Sequence, residues 1–140
     1  MLAEDFYDPK VSAYSYEIIY LGRPAQEPIR TFQARKYLNR KKAKKRMEKT
    51  MKGLRSAGVK IKDYGLIERQ DYYSFYVKYA SERTAERIRS LRTYPGYKIA
   101  QKRKHEHEEK LRRRGCSIIL AESYVDPRVS EYIYEIAYLR

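Results

Sequence analysis

Few residues in this chain have the type and spacing for covalent or metal chemistry. The one cysteine, Cys116, offers a nucleophile or an attachment point. It follows Gly115 as Val59 follows Gly58, so a small packed hydrophobe satisfies both places. His105 and His107 invite a metal ion. Two residues apart on a helix they point to opposite sides, and no other cysteine or histidine lies nearby to complete a ligand set, so they read as part of a solvated, charged face. Glu106, Glu108 and Glu109 moderate that basic run. There is no Gly-rich phosphate loop, no Ser/His/Asp arrangement and no pair of carboxylates that the sequence places in a cleft. Catalytic residues, metal ligands and covalently bound cofactors are therefore all expected to be absent, and the expectation is a protein that is not an enzyme.

The chemistry that the composition does favour is non-covalent. With 32 Lys+Arg against 18 Asp+Glu, the 140 residues carry a formal net charge of +14, which calls for an acidic or polyanionic partner. Sixteen tyrosines stand against three phenylalanines and no tryptophan. Tyrosine buries a ring and keeps a hydroxyl at its edge, which suits strands that meet a polar partner. No apolar run is long enough for a membrane span, and the first residues lack the basic and apolar regions of a signal peptide. The lone cysteine points to a reducing compartment.

The elements that must position these side chains are marked by a repeat. Tyr14–Leu21, Tyr73–Ala80 and Tyr132–Leu139 are versions of one strand at intervals of 59 residues. Each alternates with a period of two, which predicts a strand. Tyr14, Tyr16, Ile18 and Tyr20 and their counterparts form the expected core face, while the variable alternate face is expected to be half-exposed. Residues 2–21 also align without a gap to 120–139, with thirteen identities that include Asp8-Pro9/Asp126-Pro127, a turn signal. Ile29–Phe32 reads as a short extended run. Its counterpart by spacing, Ile88–Leu91, follows Ser81–Arg87, which reads as a helix with a serine N-cap, so both assignments stay open. Arg40–Ser56 reads as a helix with nine Lys/Arg, one Glu and a stripe of Ala43, Met47, Met51 and Leu54. Gly58 stops it, and Val59–Lys62 alternates as a strand. Ala100–Arg114, Gly115 and Cys116–Leu120 repeat this order, and Glu68–Asp71 reads as a hairpin turn.

The expected fold class is α+β, as two tandem small strand-helix-strand modules. The expected division is an N-terminal arm at 1–13, a first module at 14–68, a second at 69–120, and a C-terminal arm with the third repeat strand at 121–140. The alternative is one ferredoxin-like βαββαβ sandwich with an extra strand. The run Tyr72–Tyr79 faintly echoes the base-stacking strand of RNA-recognition folds, with phosphates held by basic helices. Its expected small positions hold Tyr73 and Phe75, and the stacking position of Tyr76 is glutamate in the other copies.

The order Tyr-x-Tyr-Glu-Ile-x-x-Leu, Ile-Arg-(Ser/Thr), helix, Gly, Lys-Ile resembles the small CpcD/allophycocyanin-linker module of phycobilisome linker polypeptides. Tyr14–Leu21, Ile29–Phe32, Tyr37, Ala57-Gly58 and Lys60-Ile61 carry it in the first unit. Tyr73–Ala80, Ile88–Leu91, Tyr97, Arg114-Gly115 and Ile118 carry it in the second. The resemblance implies a structural linker, cytoplasmic or stromal and peripheral to a photosynthetic membrane. It would dock into acidic phycobiliprotein rings of the allophycocyanin type and tie light-harvesting core cylinders together, touching only bilins that partner subunits carry. The partner-binding residues expected on this basis are Tyr14, Tyr16, Arg30, Arg35, Tyr37, Arg40, Arg46 and Arg55, then Tyr72, Tyr76, Arg89, Arg92, Tyr97, Arg103 and Arg112. The alternative partner is nucleic acid, for a basic RNA/DNA-binding or ribosome-associated α/β protein. A third class is a repeat scaffold that polymerises through its matching ends.

Overall fold

The computed structural model describes residues 27–140; the first repeat strand, Tyr14–Leu21, lies outside them. The described chain is α+β. Its elements are β1 (Ile29–Gln33), α1 (Arg40–Ser56), β2 (Lys60–Glu68), β3 (Tyr73–Ala80), β4 (Ala85–Arg89), α2 (Tyr97–Arg113), β5 (Ser117–Asp126) and β6 (Glu131–Leu139). They form two β-α-β-β units, each with a three-stranded sheet in the order β1-β3-β2 or β4-β6-β5. Every pairing is antiparallel. This is not the single sheet of the ferredoxin-like alternative.

Local chemistry sets the helix limits. The Asn39 side chain accepts a hydrogen bond from the Lys42 amide at 3.0 Å and caps α1. Gly58 and Gly115, at φ +77° and +85°, turn the chain out of each helix in the left-handed region where a Cβ is disfavoured. The β2–β3 connection is the polar hairpin read at Glu68–Asp71, and Asp126-Pro127 opens the β5–β6 turn, which Arg128 ties down with a 2.9 Å bond to Asp126.

The repeated strand is the middle strand of each sheet and the last of its unit, not the first. Tyr73–Ala80 pairs with both β1 and β2, so the sheets divide near residues 81–84, and the expected module ranges 14–68 and 69–120 are not the ranges of the sheets. The third copy, read as an arm, is the centre of the second sheet. The open segment resolves to strand: Ala85–Arg89 pairs with β6, and Phe32 opposite Val77 corresponds to Ile88 opposite Ile136. The serine signal survives as a turn, with the Ser81 hydroxyl accepting from the Arg83 amide.

In sheet one, Phe75, Val77 and Tyr79 are buried and pack with Phe32 against the α1 stripe of Ala43, Met47, Met51 and Leu54. The alternate face, expected to be half-exposed, holds exposed Lys78 and buried Ser74 and Ala80 beside half-buried Tyr76, whose ring covers Gly65 so closely that a Cβ there would sit 3.1 Å away. Strand β6 departs from the half-exposed expectation. Tyr134, Ile136 and Tyr138 join Leu111 of α2 in one cluster, while Ala137 and Leu139 on the other side join the cluster of the first unit, along with Ile119 and Leu120. One core therefore runs across both units. Helix α1 also seats on the edge of β5, where a Cβ at Gly53 would lie 2.6 Å from the Ile119 carbonyl oxygen.

Candidate anion-binding cleft and the polar lock between units

Four side chains join the units at a buried carboxylate. Glu122 of β5 is 6% exposed and faces the loop that follows β1. Its Oε1 accepts from Arg35 Nε at 2.8 Å, and its Oε2 accepts a short hydrogen bond from the Tyr37 hydroxyl. Arg46 Nε approaches Oε1 to 3.9 Å and has no hydrogen-bond partner among the described residues. The Arg35 guanidinium lies between two rings, 4.3 Å from the Tyr37 centroid and 4.0 Å from that of Tyr124. Burial, followed by the charge of Glu122, pushes the Tyr37 phenol far above its ordinary range, so it stays a donor.

A cleft of about 810 Å³ opens between the two helices, above the edge of β5. Glu48, Lys49, Lys52 and Gly53 line one wall, Lys104, His105, Glu108 and Arg112 the other, and Cys116–Ala121 the floor. Lys104 and Glu108 stand on α2 where α1 has Met47 and Met51, counted from each helix start. Both are buried, with Nζ 3.3 Å from Oε2, and Arg112 reaches the other Glu108 oxygen at 3.3 Å. A pair four residues apart on a helix meets on one side, so the thin apolar stripe read in this helix is completed by an ion pair. Burial, and then the neighbouring charges of Lys104 and Arg46, hold the Lys49 ammonium below its usual range. Crowded cations in a partly dried cleft favour an incoming anion.

The residues expected to bind a partner scatter. Tyr14 and Tyr16 lie outside the described residues. Arg35, Tyr37 and Arg46 form the internal lock, and Tyr37 is 1% exposed, so its ring is core and faces no partner. Arg30 donates to the Ser81 carbonyl at 2.9 Å. Tyr72 lies under the Lys36 ammonium, and the Tyr76 hydroxyl donates to Asp63 at 3.2 Å. Arg40 pairs with Glu68, Arg89 with Glu135, Arg103 with Glu106 and Arg112 with Glu108. Arg55 and Arg92 are exposed, and Tyr97 is half-exposed with its ring edge-on to Tyr132. Of the residues expected to bind a partner, only Arg112 lines the cleft. Lys49, Lys52 and Lys104 were not singled out, though the pairing of one cationic face per helix was visible in the repeat.

The aromatic strand face is equally unavailable for stacking bases, because Phe75, Tyr79, Tyr134 and Tyr138 point into the core. His107 is not on a solvated face either. Its Nδ1 lies 2.9 Å from the Tyr134 hydroxyl and its ring stands edge-on to that tyrosine. Cys116 is half-buried against the second cluster. Among the described residues, no group of three or more His, Cys, Asp or Glu is placed to hold a metal ion, and no helix is long and apolar enough to cross a membrane.

No family model, curated protein or solved structure matches this chain.

Proposed function

We propose that this chain is a non-enzymatic docking protein that holds the phosphate backbone of a nucleic acid in the cleft between α1 and α2. The observation that carries the proposal is the convergence of exposed Lys49, Lys52 and Arg112 from two helices on one cleft, with the buried Lys104 ammonium behind them. Exposed Lys41, Lys44, Lys45 and Arg55 extend the positive surface along α1. A cleft walled by charge and with no Phe, Tyr or Trp in its lining suits phosphates, since nucleic-acid interfaces are polar and strongly positive whereas protein interfaces centre on aromatic anchors. With the tyrosine rings buried, contact is to the backbone and carries little base preference.

A second reading is the phycobilisome linker, supported by the Ile-Arg, helix, Gly, strand order and by two basic helices in one chain. It puts the contacts on exposed Arg40, Arg55, Arg92 and Arg103 and on Tyr97, facing an acidic allophycocyanin-type trimer.

Fluorescence anisotropy with labelled single- and double-stranded RNA and DNA, between 50 and 200 mM salt, tests the first reading. About three phosphate contacts give a log–log salt slope of about −2 to −3. Reversing Lys49 and Lys52 to glutamate weakens all four nucleic acids alike and flattens the slope by about 2. A flat salt response, or binding untouched by that reversal, overturns it. Sedimentation with purified allophycocyanin trimers is the parallel assay: growth of the trimers into larger assemblies, without nucleic-acid binding, transfers the conclusion to the second reading.

A further inference from the structure

The residues of the lock that joins the two units occur twice, closed on a carboxylate in the first unit and, among the described residues, without one from another element in the second. Tyr94 matches Tyr37: each makes an antiparallel bridge to the start of the repeated strand, at Tyr132 or Tyr73. Each also stacks on an aromatic ring of that strand, Tyr37 on Phe75 at 6.2 Å and Tyr94 on Tyr134 at 6.4 Å. Arg92 precedes Tyr94 by two residues, as Arg35 precedes Tyr37. Arg46 and Arg103 are each the seventh residue of their helix. The same three side chains therefore occupy the same three places in both units. Around Glu122, Arg35 and Arg46 are drawn in to 23% and 29% exposure. In the second unit Arg92 is exposed, and Arg103, at 53% exposure, meets only Glu106 of its own helix among the described acidic residues.

The piece that closes the first lock is the β5–β6 hairpin, and residues 2–21 repeat its sequence. The thirteen identities between 2–21 and 120–139 include four of the residues that face the first unit, Leu2 for Leu120, Glu4 for Glu122, Glu17 for Glu135 and Leu21 for Leu139, while Ile19 replaces Ala137 and Phe6 replaces Tyr124. The close approach at Gly53 is to the carbonyls of Ile118 and Ile119, and Met1 matches Ile119, so with Lys110 in the place of Gly53 the docked segment must start farther from α2 than β5 lies from α1. In this chain the hairpin of the second unit docks on the unit that precedes it. The copy of the hairpin's sequence at residues 2–21 precedes the first unit, so the same relation extends it to the second unit of another molecule.

We propose that residues 2–21 of one copy of the chain dock on the open lock of a second copy, with Glu4 taking the place among Arg92, Tyr94 and Arg103 that Glu122 takes among Arg35, Tyr37 and Arg46. The contact is head to tail, and a contact of that kind that does not close on itself builds an open chain of molecules. It stands apart from the nucleic-acid reading, because the cleft between α1 and α2 takes no part in it.

The test uses the full chain with Cys116→Val, which installs the residue of the matching position, and with Glu4→Cys and Arg92→Cys. A short bismaleimide replaces a disulfide, because side chains as long as Glu and Arg hold their Cα atoms farther apart than a disulfide spans. The expected result is a ladder of dimers and higher species that grows with protein concentration. It should be at least tenfold stronger than for the control pair Glu4→Cys with Arg55→Cys. In the chain without introduced cysteines, light scattering should show a mass that rises with concentration. Glu4→Arg should weaken that association at least tenfold, and Arg92→Glu in the same chain should restore it. Cross-links confined within one chain overturn the second copy as occupant. Equal yields from the two cysteine pairs, or a mass that is monomeric at all concentrations, overturn the docking altogether.

Discussion

Glu122→Gln is the sharpest probe of the lock, because it keeps the volume of the side chain and removes its charge. The carboxylate is 6% exposed, accepts from Tyr37 and Arg35, and compensates Arg46 at 3.9 Å. The bond from Tyr37 becomes a neutral one and the bond from Arg35 keeps only the charge of its donor, at a loss of up to about 1 kcal/mol each. Two guanidinium groups lose their counter-charge, and because both are about a quarter exposed, solvent relieves much of that cost. The total is about 2–4 kcal/mol, toward the lower part of the range for breaking a buried pair. With a urea m-value of about 2 kcal/mol/M, the unfolding midpoint falls by about 1–2 M. A double-mutant cycle with Arg35→Ala should return a coupling of about 1–2 kcal/mol. Glu109→Gln is the control. Its pair with Arg112 spans 3.7 Å at 59% and 50% exposure, so its loss should cost less than about 0.5 kcal/mol. If Glu122→Gln and Glu109→Gln unfold at the same urea concentration, the account of the lock is wrong.

Two further substitutions probe how the helices seat. Gly53→Ala would gain about 1 kcal/mol of helix propensity. Its Cβ would press on two strand carbonyls, 2.6 and 2.9 Å away, where overpacking costs about 1–3 kcal/mol. A lowered melting temperature is expected, and a raised one would mean that α1 does not rest on β5. His107 has its pKa held below 6.5 by burial, then by Lys110 and Arg114. A depressed pKa means that the unfolded chain binds the extra proton first. The neutral ring's contribution is therefore complete above 6.5 and is lost as pH falls through that value toward the folded one. Thermal melts between pH 7.5 and 5 should fall more steeply for the native chain than for His107→Gln; equal slopes would contradict this.

Much of the local structure was legible because local chemistry decides it. Arg40–Ser56 follows from its apolar spacing, the Asn39 cap and the Gly58 stop, and it matches α1 end to end. The core face of the repeated strand follows from its period. The phase of the repeat did not follow, since a strand bonded on both edges and a strand that opens a unit share one alternating pattern. Ser81–Arg87 has helical capping chemistry, yet pairing of Ala85–Arg89 with β6 overrides it. The second helix starts at Tyr97, three residues before the expected Ala100, because the tyrosine packs on Tyr132. The cleft was obscured for another reason. Lys104 and Glu108 look like surface residues until the helix is aligned with α1, where their places belong to Met47 and Met51. For Glu122 the signal was available: an acid kept at Glu4 and at Glu122, directly after Leu-Ala in both copies of the sequence, marks a partner of opposite charge.

The central place of the repeated strand has a consequence in time. In each unit the two outer strands are not bonded to each other, and the strand that bridges them is synthesised last. While a nascent chain emerges, β4 and β5 must wait unpaired until Glu131–Leu139 follows them, whereas the first sheet is already complete once Ala80 is out. The first unit thus becomes a finished surface on which the later hairpin can assemble, and folding proceeds from the beginning of the chain toward its end in two steps.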